Sequence, residues 1–181
     1  MTVKTKILKV LLLFASFLPI VGCHRERPTK VRVQGAASPA FAFKGSGELA
    51  SLSVYLVPPS PEEMSKPFSE QPPVWRISAL PDYLHGTPVE DIGTLAYGMI
   101  PRGYKQEVPN NGNPAQPLIP GRDYFFDART TNAPPAAGFF RIENGRVAST
   151  KVKTPCWQTK DGEWVIESLH RLGRGSPVAS R

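Results

Sequence analysis

The side chains best suited to chemistry in this sequence are two cysteines, Cys23 and Cys156, and three histidines, His24, His85 and His170. The histidines lie far apart, without HxH or HExxH spacing, and the cysteines form no ligand pair, so the pattern predicts no metal site. Each histidine reads as a surface or capping residue, although folding could bring His85 beside Asp82, Glu90 and Asp91. A Gly-x-Ser-x-Gly nucleophile elbow is missing; Gly45-Ser46-Gly47 lacks the spacing and reads as a turn. Glycine-rich phosphate loops are missing too. Glu62-Glu63 and Glu90-Asp91 fall in polar connections and read as solvated charge. A glycosidase pair is defined by separation in space, which spacing along the chain does not carry. These residues predict no catalytic group and no cofactor.

Cys23 stands in a particular setting. Ahead of it come a basic start with Lys4, Lys6 and Lys9, an apolar stretch over residues 10–18, and Ile20-Val21-Gly22. That is the layout of a secretory signal. Nine residues in a helix, eight of them apolar, span roughly 14 Å, well short of a hydrocarbon core of about 30 Å, which argues against a permanent transmembrane helix. The segment Ile20-Val21-Gly22-Cys23 resembles the lipobox of bacterial lipoproteins. The resemblance implies removal of residues 1–22, diacylation of the Cys23 thiol and acylation of the new amine. A thiol is a strong nucleophile, and small neighbours give an enzyme access to it. One acyl chain holds only marginally at about 0.8 kcal/mol per buried CH₂, so stable attachment takes two or three. His24 follows the cysteine where enteric-type lipoproteins retained in the inner membrane carry aspartate, which points to the outer membrane.

Cleavage there leaves 159 of the 181 residues, a length for one domain, and lowers the formal charge from +7 to about +4. The positive charge sits at the two ends: Arg25, Arg27, Lys30 and Arg32 against Glu26, and six basic against three acidic residues over 151–181. On an exported protein such flanks point to anionic lipid or solubility rather than to nucleic acid. With Cys23 acylated, Cys156 has no partner in the chain; it reads as a buried structural thiol, with a reactive thiol or a bridge to another chain as the alternatives.

The elements that must position any site are strands. Prolines number 20, about twice the usual ~5%, and cluster over residues 58–73, 109–120 and 134–135, which read as connections. Helical claims are limited to residues 61–64 and 81–84. Period-two alternation places Leu52, Val54 and Leu56 on one face, and repeats at Trp75, Ile77 and Ala79, at Leu95, Tyr97 and Met99, and at Tyr124, Phe126 and Ala128. Val31 and Val33, Phe41 and Phe43, and Phe140 and Ile142 add further strands. Asn144-Gly145 is a type I′ hairpin signal, and Asp161-Gly162 repeats it.

About ten strands with almost no helix predict an all-β fold, a two-sheet antiparallel immunoglobulin-like sandwich with short Pro-rich loops. The segment Leu118-Ile119-Pro120-Gly121-Arg122-Asp123-Tyr124 resembles the entry to the sixth strand of fibronectin type III domains, whose tyrosine bonds back to the backbone. Leu52-Ser53-Val54-Tyr55 followed by Val57-Pro58-Pro59 resembles that family's second strand, with Tyr55 or Leu56 where the family carries tryptophan. The resemblance covers residues 49–142. The expected organisation is a signal over 1–22, a lipidated tether over 23–29, one sandwich over 30–170 and a flexible basic tail over 171–181.

Aromatic residues supply the candidate interaction surface. Phe125 and Phe139 lie out of phase with the core face of their strands, and Tyr104 joins them, while most other rings are expected in the core. The sequence therefore reads as a non-enzymatic envelope lipoprotein, membrane-held through Cys23 and engaging an envelope protein. The alternatives are an inhibitor or immunity-type protein using the 109–120 loop as a plug, and a carbohydrate-binding or hydrolytic protein. The anchor predicts that native protein from isolated membranes has the mass of residues 23–181 plus two or three acyl chains, lost in Cys23→Ala; an unacylated mass refutes it.

Overall fold

The computed structural model describes residues 27–36, 38–58, 68–83, 86–110 and 112–148, together with the backbone of Cys156–Gln158 and Trp164–Ile166. The lipobox with Cys23, the histidines His24, His85 and His170, the Asp161-Gly162 turn, the Cys156 side chain and the 171–181 tail lie outside the described residues.

Twelve strands and one helical turn are described. In chain order they are β1 (Lys30–Gln34), β2 (Ala40–Lys44), β3 (Glu48–Leu56), β4 (Trp75–Ala79), β5 (Thr87–Pro88), α1 (Val89–Ile92), β6 (Thr94–Ala96), β7 (Tyr104–Val108), β8 (Asp123–Thr131), β9 (Ala136–Glu143), β10 (Arg146–Ala148), β11 (Cys156–Gln158) and β12 (Trp164–Ile166). All strand pairs are antiparallel. A small sheet has the order β1-β2-β6, and a large sheet has the order β10-β9-β8-β3-β4-β7, with β5 also on β3. β11 and β12 form a separate hairpin. The domain is a two-sheet sandwich.

The alternation explains the core. Phe41 and Phe43 point inward from β2, Leu52 and Val54 from β3, Trp75 and Ile77 from β4, Tyr124, Phe126 and Ala128 from β8, and Phe140 and Ile142 from β9; all are buried. Phe41 links the sheets. Its ring stacks near Trp75 at 6.4 Å and meets Phe126 and Phe140 edge-on at 5.7 and 6.0 Å. The large sheet is also apolar on part of its outer face, where Tyr55, Val57, Phe68 and Phe125 form a second buried cluster.

Local signals held where geometry is forced by few residues. Asn144 and Gly145 have φ of 49° and 69°, as the type I′ turn between β9 and β10 requires. The Tyr124 hydroxyl accepts the Ile119 N–H at 2.7 Å, the tyrosine corner expected from the sequence.

Other expectations are corrected. β3 resembles a second strand in sequence but is third in the chain and central in the large sheet; β2 holds the second strand's place between β1 and β6. The alternation of Leu95, Tyr97 and Met99 stops at β6, because Gly98 turns the chain at φ 82° and leaves Met99 exposed. Residues 81–83 form a 3₁₀ turn, while Glu90 and Asp91 sit on α1 rather than in a loop. β7 escapes the alternation rule because polar Gln106 follows buried Tyr104 on its inward face. That amide accepts the Trp75 indole N–H at 3.2 Å and donates to the carbonyls of Pro109 and Asn113 at 2.8 and 2.7 Å, so a polar side chain is satisfied at the core edge.

Truncating the linking ring, Phe41→Ala, is expected to lower unfolding free energy by about 3–5 kcal/mol. Tyr124→Phe, which strips one partner from a part-buried N–H, is expected to cost about 1–2 kcal/mol. Denaturant titration checks both, and equal effects would contradict this division.

Candidate interaction cleft

Among the described residues, two of the sandwich's open strand edges, those of β1 and β9, adjoin one another. β1 pairs only with β2, and β9 pairs with β10 only at Arg141, Ile142 and Glu143, so among the described residues its edge over 136–140 has no neighbouring strand. The two edges border one open cleft of about 420 Å³, lined by the apolar Val31, Val33, Phe126, Phe139 and Phe140 and by Arg32. At one end the Val147 N–H donates to the Gly35 carbonyl at 3.1 Å and closes the gap. Gly138 shapes the cleft's floor. It stands opposite Phe126 in the β8–β9 register, and a Cβ there would lie 2.9 Å from the Phe126 ring, so only glycine lets that ring lie flat across β9. Unpaired strand edges beside an apolar surface are a template for strand addition.

The three aromatic candidates separate. Phe125 is fully buried: Phe68 stacks on it at 4.1 Å with planes 11° apart, and Tyr55 and Phe139 flank it. Its out-of-phase position reflects the second cluster, not an exposed platform. Tyr104 is buried as well, and its hydroxyl donates to the Leu49 carbonyl at 2.5 Å and accepts the Thr87 N–H at 3.0 Å. Phe139 alone remains at a surface, half-buried on the cleft. Val31 and Val33 were legible in the sequence only as core residues; nothing in their spacing revealed an open edge.

A second hollow of about 260 Å³ is bordered by Gly45, Gly47, Glu48, Val89, Glu90 and Asn132. One Glu48 oxygen already accepts the Thr131 hydroxyl at 3.2 Å and the Asn132 amide at 3.5 Å. Among the described residues no group of three His, Cys, Asp or Glu side chains is placed to hold a metal ion. Asp82, Glu90 and Asp91 are exposed.

The 109–120 loop is fixed to the sandwich. The Tyr97 hydroxyl donates to the Gln116 carbonyl at 2.9 Å, Tyr124 holds Ile119, and Gln106 holds Pro109 and Asn113. Met99, Ile100 and Ile119 are exposed. Burial raises the phenol pKa of Tyr97, Tyr104 and Tyr124 above the ordinary 10.0. For Tyr97 the neighbouring Tyr124 adds to the rise; for Tyr104 and Tyr124 the hydrogen bonds from Thr87 and Ile119 oppose it.

Compared with protein-family models, curated proteins and solved structures, the chain finds no match.

The tyrosines give a pH prediction. Above pH 10 the unfolded chain releases phenol protons that the folded chain retains, so the folded state binds more protons and its stability falls as pH rises. Urea midpoints are expected to be level from neutral pH to about 9 and to fall above about 10. Tyr97→Phe should flatten that fall; an unchanged slope would refute the assignment.

Proposed function

We propose that this chain is a bacterial envelope lipoprotein, held in the outer membrane through acyl chains on Cys23, whose sandwich is a non-catalytic module that binds an extended segment of another envelope protein. The carrying observation is the cleft between the open edges of β1 and β9. A segment entering it would complete main-chain hydrogen bonds with β9 and set alternate apolar side chains onto the floor of Val31, Val33, Phe126 and Phe140, which is how strand addition obtains affinity and specificity. The lipobox residues support the location, and the sandwich is a frame suited to presenting such an edge.

Photo-crosslinking in intact membranes tests this. A photoreactive residue at position 33 or 139 is expected to capture one protein, while one at exposed Lys105 on β7 captures none. Val33→Asp should reduce capture from position 139 about tenfold or more, because an unpaired carboxylate facing an apolar floor costs at least about 1.4 kcal/mol. Hydrogen exchange of residues 136–140 in the captured complex should slow as their edge becomes paired. Capture that is indifferent to position, or an edge that exchanges as fast with the partner as without it, would overturn the proposal.

A further inference from the structure

The outer face of the small sheet differs from every other face of the domain. Inward residues of β1 and β2 are Val31, Val33, Phe41 and Phe43, so the opposite parity faces outward: Lys30 and Arg32 on β1, Lys44 on β2. All three are exposed, and among the described residues no ion pair joins any of them to a carboxylate. Between them the sheet carries small residues, with Ala42 beside Thr94 and Ala40 beside Ala96. The large sheet's outer face is built the other way, its charges paired as Arg141 with Asp123 at 2.6 Å and Arg129 with Asp127 at 2.9 Å.

The cations are also placed against their own interest. Lys30 and Lys44 are direct cross-strand partners, and like charges so placed destabilise a sheet. Lys44 lies on β2 beyond the three residues that pair with β6, opposite Lys30 on β1. The acidic residues closest along the chain or packing against β2 are Glu48 at the start of β3 and Glu90 and Asp91 on α1, which meets β2 where the Phe43 N–H donates to the Gly93 carbonyl at 2.7 Å; none of the three forms an ion pair with Lys44 among the described residues.

This face lies where the anchor would bring it. Arg27 is fixed to the β2–β3 turn, its carbonyl accepting the Ser46 N–H at 3.2 Å and the Ser46 hydroxyl at 2.8 Å. Four residues separate Arg27 from Cys23, a reach of at most about 14 Å. Lys44 is two residues from Ser46, and Lys30 stands opposite Lys44.

We infer that the outer face of the small sheet, through Lys30, Arg32 and Lys44, seats on anionic lipid headgroups. The inference rests on the lipid-anchor proposal. The acyl chains supply attachment and the cations supply orientation, and headgroup phosphates relieve the Lys30–Lys44 repulsion. Screening confines the effect to charges within about 8 Å of the surface at physiological salt, which small residues between the cations allow.

The experiment uses native protein from membranes, its intact mass read on the same sample, reconstituted into vesicles of phosphatidylglycerol with phosphatidylcholine or of phosphatidylcholine alone. Amine-reactive labelling of Lys30 and Lys44 is expected to be about fivefold slower in the anionic vesicles, the effect of about one surface cation's attraction, and to recover at high salt, with Lys105 unchanged. Arg32→Glu should lessen the protection of Lys30 and Arg32→Lys should preserve it. Equal labelling in both vesicles on protein of acylated mass would overturn the inference while leaving the anchor standing. Protection in native membranes but not in protein-free anionic vesicles would also overturn it, in favour of an acidic protein. An unacylated mass would end the anchor proposal, and salt-sensitive protection of the same sample by added anionic vesicles would still support the lipid-seating face.

Discussion

The structure depends on the contact of Phe41 with the opposite sheet. A three-stranded sheet has little apolar surface of its own, and β6 is only three residues long. One ring from its middle strand reaches Trp75, Phe126 and Phe140, which lie on three different strands of the large sheet. Burying one phenylalanine side chain stabilises by about 1.5–3 kcal/mol, with more from the ring geometry. Placing it at the centre lets the short sheet be held by packing instead of by extensive strand pairing.

That arrangement leaves the borders of the sandwich unequal. On one side the chain from β6 crosses to β7, and Tyr97 and Gln106 tie the connection to Trp75 and to the 109–120 loop. On the other side, among the described residues, the sheets are linked by a backbone hydrogen bond between Val147 and Gly35, and β10 is too short to cover β9. The cleft follows from that difference. Gly138 then settles its shape by allowing Phe126 to form the floor.

Polarity divides along the same lines. The large sheet buries a second aromatic cluster on its outer face and pairs its charges around it, so that face is spent on internal structure. The small sheet keeps alanines and unpaired cations outward. Apolar stabilisation and available charge thus occupy opposite surfaces of one domain, and the open edges lie between them.

The sequence by itself determined the strands of strong alternation, the Asn144-Gly145 turn and the tyrosine corner, since each depends on a few adjacent residues and on period-two geometry. The resemblance of Ile20-Val21-Gly22-Cys23 to a lipobox is likewise a pattern read along the chain and independent of the fold. Tertiary structure decided the rest. Phe125 and Phe139 have the same residue type and face the same side of one sheet, yet one is sealed by Phe68 while the other borders a cleft. β7 is a strand because Gln106 finds three polar partners from Trp75, Pro109 and Asn113. Which edges remain open is a property of how far distant strands overlap, and overlap is set by packing between sheets, which no local pattern encodes.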